Sequence, residues 1–344
     1  MTLEALGFDP GWADAFARSD FSDHYPARVT RVDRGVVTAR SIAEGDERVA
    51  VPKRLRFNEH SPVVGDWIAL QASDHGPYLA GVVTRRTCVA RGAAGRRVRR
   101  QVLAANVDTS FIVTSMDADF SERRLERYLT VVHDGGSQPV FLLTKVGLAE
   151  DPASFARRAA SVAPGVDIHS VDVIAGICAD APTRYLGKGR TAVFIGSSGV
   201  GKSTLVNSLA GRPLMATHEV RESDGQGQHT TVHRELFVLP DDGGVLIDTP
   251  GLRELAVSAM PSAVDRVFSD IEALAQKCRF RDCAHVHGHE SNCAVQEAIA
   301  AGRLDPDRLG AYRELAGEAA TSRKQMAEGE RREHDRIANK RNRH

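Results

Sequence analysis

The 344-residue sequence predicts a multidomain α/β protein: an N-terminal OB-type β-barrel, a mainly parallel sheet covered by helices, and a C-terminal helical module bearing cysteines and histidine. Three observations carry that expectation. Residues 27–91 run in short alternating segments with no lasting helical period, and residues 104–251 alternate strand-like and helix-like stretches around a glycine-rich loop. Three of the five cysteines fall between Cys278 and Cys293. The expected units are an extension at 1–26, the barrel at 27–103, the α/β domain at 104–262 and the helical module with a basic tail at 263–344.

The barrel reading rests on ARVTRVD, GVVTARSI, ERVAVPKRL, DWIALQAS and YLAGVVTRR, five strand-like runs separated by glycines and charged turns. After them VDTSFIVTSM and PVFLLTK read as buried strands. ERRLERYLTVVHDGG, between them, reads as a helix closed by glycines. FARRAASVA is a second helix and VDIHSV a short strand. TAVFIGSSGVGKSTLVNSLAG reads as strand, loop and helix, and GVLIDTPG as a further strand. From about Ala263 onward the pattern is helical, and no internal repeat is evident.

Lys+Arg and Asp+Glu number 45 each, so net charge names no partner class, and affinity for nucleic acid must come from local clusters. One cluster is Arg96, Arg97, Arg99 and Arg100. The other is Thr321–His344, with eight Lys/Arg against four Asp/Glu. Both would contact RNA phosphates, giving affinity without sequence readout; a solvated linker and a tail without a partner are the plain alternatives. The N-terminal stretch lacks the apolar run of a signal peptide, and no segment reaches the roughly eighteen apolar residues of a membrane span. A cytoplasmic protein is expected, in which clustered cysteines mean metal rather than disulfides, and isolated Cys88 and Cys178 are packing residues.

Gly196, Ser197, Ser198, Gly199, Val200, Gly201, Lys202, Ser203 and Thr204 read GSSGVGKST, a full match to G-x-x-x-x-G-K-[ST]. The apolar AVFI before it and STLVNSLA after it supply the strand and helix that the motif needs. Converging backbone N–H groups and the positive end of the helix suit phosphates, with Lys202 reaching the β- and γ-phosphates and Ser203 ligating Mg²⁺. Further on, GVLI ends in Asp248-Thr249-Pro250-Gly251, where the carboxylate can hold magnesium through water and the Gly251 amide can sense the γ-phosphate. Between the two, GQGQHTTVHRE is placed for a first switch, with Thr230 or Thr231 closing over the cation. An ordinary flexible loop is the alternative.

A guanine-reading [NT]-K-x-D element normally follows the D-x-x-G strand, yet here Asn339-Lys340-Arg341 sits in a charged tail with no strand before it. Upstream, VFLL runs into Thr144-Lys145-Val146-Gly147, and VDIHSV supplies a second strand-loop element around Ser170. The order of base motif, phosphate loop, first switch and second switch is a circular permutation. It is cheap, because a cut in an exposed loop leaves the core intact.

These segments, together with PVVGDW, ANVDTSFIVTSM, GQHTT and CRFRDCAH, resemble the ribosome small-subunit-dependent GTPase A family from about residue 27 to residue 315. The resemblance implies an OB-fold, a circularly permuted P-loop GTPase domain and a C-terminal zinc-binding module. It implies hydrolysis of GTP to GDP and phosphate on the small (30S) ribosomal subunit late in its maturation. Contact with 16S rRNA is implied, with Mg²⁺ at the nucleotide and one structural Zn²⁺, and with neither membrane nor DNA as partner. His229 becomes the candidate for positioning water, because Leu252 after DTPG cannot; a solvated loop histidine is the alternative.

The family has Asp where this chain has Gly147. Losing the carboxylate that accepts the guanine N1–H and amino protons should weaken guanine selection. Lys145 can still pack along the base, Asp151 or Glu150 are candidates to reach back, and Gly147→Asp should tighten GDP binding about tenfold. An RNA-binding protein with a weak or non-selective nucleotide site, or an ATPase, are the rival readings.

Cys278-x4-Cys283-x-His285 followed by Cys293 has the ligand set of a closed Cys₃His site. The family places five residues between the histidine and the last cysteine, where His285 to Cys293 has seven. His287 restores that spacing on one side and breaks it on the other, and His289 is a third candidate.

Overall fold

The computed structural model describes residues 2–41, 45–56, 61–92, 100–215, 234–248, 259–286 and 293–341. All five expected barrel strands form: β1 (Tyr25–Asp33), β2 (Val36–Ser41), β3 (Asp46–Ala50), β4 (Trp67–Gln71) and β5 (Tyr78–Val82). Strand β1 pairs antiparallel with β2 and β4, β2 pairs with β3, and β4 with β5; β3 then packs beside β5 to curl the sheet into a barrel. Alternate residues fill its interior, Ala27 and Val29 from β1, Val37 and Ala39 from β2, Ile68 and Leu70 from β4.

Flanking the basic stretch expected to contact RNA phosphates is a paired hairpin, β6 (Cys88–Gly92) with β7 (Arg100–Ala105). Arg96, Arg97 and Arg99 lie outside the described residues. Arg100 does not sit in a linker: its guanidinium pairs with Asp134 at 2.9 Å. The hairpin lies so close to the helix carrying Asp134 that a Cβ added at Gly135 would fall 1.7 Å from the Cys88 carbonyl.

The second unit is a sheet in the order β10 (Asp167–Val171), β9 (Gln138–Thr144), β8 (Thr109–Ser115), β11 (Thr191–Ile195), β13 (Val245–Asp248) and β12 (Glu235–Val238), parallel except for β12. Its central strands are buried on both faces, and the two-residue period divides their side chains between two layers. Ile112, Phe141, Leu143, Val193 and Ile247 face one core, while Phe111, Val140, Leu142, Phe194 and Leu246 face the other. Helix α2 (Glu122–Gly135) is capped by Ser121 and closed by Gly136 at φ 79°, as its glycine pair predicts. Helix α3 (Pro152–Val162) starts at the capping residue Asp151, and α4 (Lys202–Ala210) follows the glycine loop. At the far edge Arg31 of β1 stands opposite Glu235 of β12, so barrel and parallel sheet share one hydrogen-bonded path.

The N-terminal extension is packed in. Helix α1 (Pro10–Ala17) buries Trp12 and Phe16, and Phe8 meets the Trp67 ring edge-on at 4.9 Å. Beneath them Arg28 of β1 is fully buried. It donates to the carbonyls of Leu6, of Gly65 (3.3 Å) and of Asn106 (3.2 Å), and to Thr191 Oγ1 (2.9 Å), with its guanidinium over Trp67. Burial pushes its pKa down to about 10, against the pull of Asp108 and Asp66. Beside it Gly65 must be glycine, since a Cβ there would lie 2.2 Å from the Ala105 carbonyl and its φ is +91°.

The C-terminal module comprises α5 (Pro261–Val267), α6 (Ser269–Ala275), α7 (Ala294–Ala300) and α8 (Pro306–Arg341). The expected basic tail is the continuation of α8. That helix docks on α2 through Arg308, which reaches Glu126 at 2.9 Å and Asp270 at 2.7 Å, and through Arg127, 2.7 Å from Glu318. Burial pushes the Glu126 carboxyl up to about 7 even though Arg308 opposes the shift. Among the described residues no helix is long and apolar enough to cross a membrane.

Because Glu126 is almost wholly buried and Arg308 largely so, Arg308→Ala should lower unfolding free energy by about 3 kcal/mol, Glu126 then having to take up a proton and Asp270 losing its partner. Arg308→Leu combined with Glu126→Leu should recover most of that loss. Urea unfolding of the three proteins checks both expectations.

Candidate functional site

Strand order reverses between β8 and β11, since β9 and β10 lie on one side and β13 on the other. In open parallel sheets such a crevice at the carboxyl ends of the strands is where ligands bind. The glycine loop leaves β11 there. Gly196 is forced by close approach, because a Cβ would lie 2.3 Å from the Val113 carbonyl and φ is +157°. Ser197, Ser198 and Gly199 form the turn, Val200 is buried beneath it, and Gly201 leads into α4, whose first turn holds Lys202, Ser203 and Thr204. Lys202 Nζ donates to the carbonyls of Gly196 (2.9 Å) and Ser197, which places the ammonium within the curl of the loop.

Asp248 ends β13, which runs parallel to β11 with Ile247 level with Val193. Burial pushes its carboxyl up to about 6; Lys202 pulls it down and Glu235 pushes it further up. A desolvated carboxylate beside the glycine loop has the chemistry of a donor to a hard divalent cation, as has the Ser203 hydroxyl. Thr249, Pro250, Gly251 and Leu252 lie outside the described residues, as do His229, Thr230 and Thr231.

Thr144 joins the two halves of the crevice. Its hydroxyl, at the end of β9, donates to the Val200 carbonyl in the glycine loop at 2.6 Å. Lys145 adopts the left-handed conformation at φ 59°, and its ammonium reaches Asp117 at 2.9 Å. Burial pushes the Asp117 carboxyl up, but hydrogen bonds from Ser115 and Lys145 outweigh it and leave the group below the usual carboxylate range. Val146 and Gly147 form a short 3₁₀ turn. Ser170 lies level with Leu143, and Val171 with Thr144, in the parallel β10–β9 register.

Two site residues escape sequence reasoning. Asp117 is one. The other is Asp172, immediately after β10, whose Oδ2 accepts the Gly147 N–H at 3.2 Å. The only sequence signal was an acidic residue two positions beyond Ser170. Asp151, considered as a carboxylate reaching back to the base, is instead the cap of α3: Oδ1 accepts the Ser154 N–H at 3.1 Å and Oδ2 meets Arg157 at 3.3 Å.

Cys278, Cys283, His285 and Cys293 converge, with their four ligand atoms all within 4.8 Å of one another. Cys278 Sγ lies 3.8 Å from Cys293 Sγ, and His285 Nδ1 lies 3.6 and 3.5 Å from those two sulfurs. Such edges belong to a tetrahedron with bonds of about 2.0–2.3 Å to a central ion. His285 takes φ 56°, and its carbonyl accepts from Gln296 and Arg313, so its backbone is tied to α7 and α8. His287 and His289 lie outside the described residues. This group can hold one metal ion.

The model of the RsgA GTPase family matches residues 82–258. The small ribosomal subunit biogenesis GTPase RsgA of Xanthomonas campestris pv. campestris (strain B100) is 42% identical over 342 residues, covering 95% of this chain and 91% of that protein. The chain belongs to the RsgA GTPase family. The RsgA protein of Xanthomonas euvesicatoria pv. vesicatoria (strain 85-10) is 43% identical over 340 residues, with the same coverage. Among solved structures, YjeQ from Thermotoga maritima superposes with a TM-score of 0.62 at 22% identity, covering 86% of this chain and 99% of that one. YloQ, a circularly permuted GTPase, gives 0.59 at 23% identity, covering 88% and 98%. The permuted order expected for an RsgA-family chain is the observed one, with β8, β9 and β10 preceding the glycine loop rather than following D-x-x-G.

Protein purified without chelators should carry about one metal ion per chain, as a single closed site requires. Cys283→Ser should lose nearly all of it. Elemental mass spectrometry on the two proteins decides the point.

Proposed function

We propose that this chain is a GTP hydrolase that binds the small (30S) ribosomal subunit in the cytoplasm, assists its late maturation and converts GTP to GDP and phosphate there. The Thr144–Val200 hydrogen bond carries the reading. It fixes the proposed base-reading segment against the proposed phosphate loop, so one nucleotide can engage both without either having to be ordered first. The names of the RsgA relatives supply the substrate and the particle.

In this reading Lys202 neutralises the β- and γ-phosphates, and the loop amides from Gly196 to Ser203 cradle them together with Thr204 in the first turn of α4. Ser203 and Asp248 would hold Mg²⁺, which supplies charge neutralisation at the phosphates. Thr144, Lys145, Val146, Gly147 and Ser170 surround the base, and Lys145, kept in place by Asp117, packs along it. Gly251 senses the γ-phosphate, Thr230 and Thr231 close the first switch, and His229 positions water. The metal of the Cys₃His group is zinc, since three thiolates and an imidazole at tetrahedral spacing favour it over harder cations. The barrel, the zinc module and the basic surface of α8 contact 16S rRNA through its phosphates.

Lys202→Ala and Ser203→Ala should each abolish hydrolysis while the fold is kept, because each removes one contact from a preformed loop. The check is multiple-turnover phosphate release with and without 30S subunits, alongside thermal melts of the variants. Turnover that equals wild type in either variant, or wild-type turnover indifferent to 30S subunits, contradicts the reading.

A further inference from the structure

Gly147 leaves the base-reading turn without a carboxylate of its own, and the structure puts one there from a different strand. Parallel pairing sets Val171 level with Thr144, so the residues that follow both strand ends emerge side by side. Asp172 is the first residue beyond β10. Its Oδ2 lies 3.2 Å from the Gly147 nitrogen and 3.5 Å from where a Cβ at 147 would stand. The carboxylate thus lies in ordinary van der Waals contact with the position of a Cβ at 147, beside the path of a side chain there.

The position of Asp172 is held from behind. Oδ1 accepts the N–H groups of Ile174 at 3.1 Å and Ala175 at 3.0 Å, inside a tight loop closed by the Asp172–Ile177 bridge. An ionised carboxylate offers about four acceptor positions. Among the described residues those two amides occupy Oδ1, and the Gly147 amide occupies one position on Oδ2. One acceptor on Oδ2 remains, beside the turn that would hold the base.

We infer that Asp172 is the guanine-specificity residue of this chain, a carboxylate supplied from the neighbouring strand end of β10 that accepts a donor from the N1–H and 2-amino edge in place of the missing side chain at 147. The inference rests on the proposal that the Thr144–Gly147 segment faces the base. It also reverses the expectation for Gly147→Asp. A second carboxylate would be introduced next to Asp172 Oδ2, and like charges at that separation repel.

The test is calorimetric titration of wild type, Asp172→Asn, Gly147→Asp and the double variant Gly147→Asp/Asp172→Ala with GDP, xanthosine diphosphate and ADP. Asp172→Asn keeps a carbonyl oxygen for Ile174 and Ala175 but sets an amide donor against the Gly147 N–H, so the ratio of GDP to xanthosine diphosphate affinity is the deciding readout. It exchanges an acceptor for an amide donor, which suits the xanthine 2-oxo group and opposes the guanine amino group. It should therefore weaken GDP by about tenfold or more and tighten xanthosine diphosphate. Gly147→Asp alone should bring no gain for GDP, whereas the double variant should return GDP affinity to near the wild-type value, a coupling that independent sites do not give. If wild type prefers GDP to ADP and Asp172→Asn preserves the GDP-to-xanthosine preference unchanged, the role of Asp172 falls and the base site stands. If wild type binds GDP and ADP equally, both fall together. A tenfold gain in GDP affinity from Gly147→Asp alone likewise overturns the inference.

Discussion

A single buried guanidinium holds the architecture together. Arg28 issues from the first barrel strand, yet its hydrogen bonds end on the N-terminal segment, the Gly65 turn, the segment leading into β8, and Thr191 at the start of the strand that feeds the glycine loop. A cation taken out of water is costly unless its donors are satisfied, and here they are satisfied only when all four segments are in place. Lifting the barrel away from the parallel sheet would break the bonds of Arg28 to Leu6, Asn106 and Thr191 together. Asp66 repeats the logic one layer out. It is wholly buried and gripped by Arg85 at 2.7 Å, so the turn that presents Gly65 is itself clamped.

With that junction fixed, the rest of the site follows from parallel pairing. Strands of one sheet end at similar heights, and the loops leaving them are neighbours whatever their distance in sequence. Thr144 touches Val200 across 56 residues, and Asp172 touches Gly147 across 25. The circular permutation changes which loop is cut and leaves these adjacencies untouched, because they depend on strand order rather than on chain order.

Much of this was legible in the sequence. The five barrel strands are set off by glycines and charged turns, the glycine loop has its strand and helix, and the Cys/His spacing marks the residues that converge. What was missed shares a cause. The two strands of the β6–β7 hairpin are separated by glycines and arginines, so their pairing has no local signal. Helix α8 buries Leu309, Leu315 and Ala319 along one face and is polar beyond them, so the helical pattern was legible but its continuation through the basic tail was not; ion pairs to α2 add partners far away in the sequence. Arg28 occupies a polar position in an alternating strand and looks like surface. Asp172 has no meaning until register across two strands is known. In each case the deciding information is a non-local contact to a polar group, which periodicity does not record.

Helix α8 runs unbroken for 36 residues, so it is about 54 Å long at 1.5 Å per residue. Its ion pairs and hydrogen bonds to α2 and α6 run from Arg308 to Glu318, and its buried residues reach Ser322. The helix is thus clamped at one end like a pointer on a short axle. A tilt of a few degrees at α2, itself the connection between β8 and β9, is magnified into a displacement of several ångströms at the distal end.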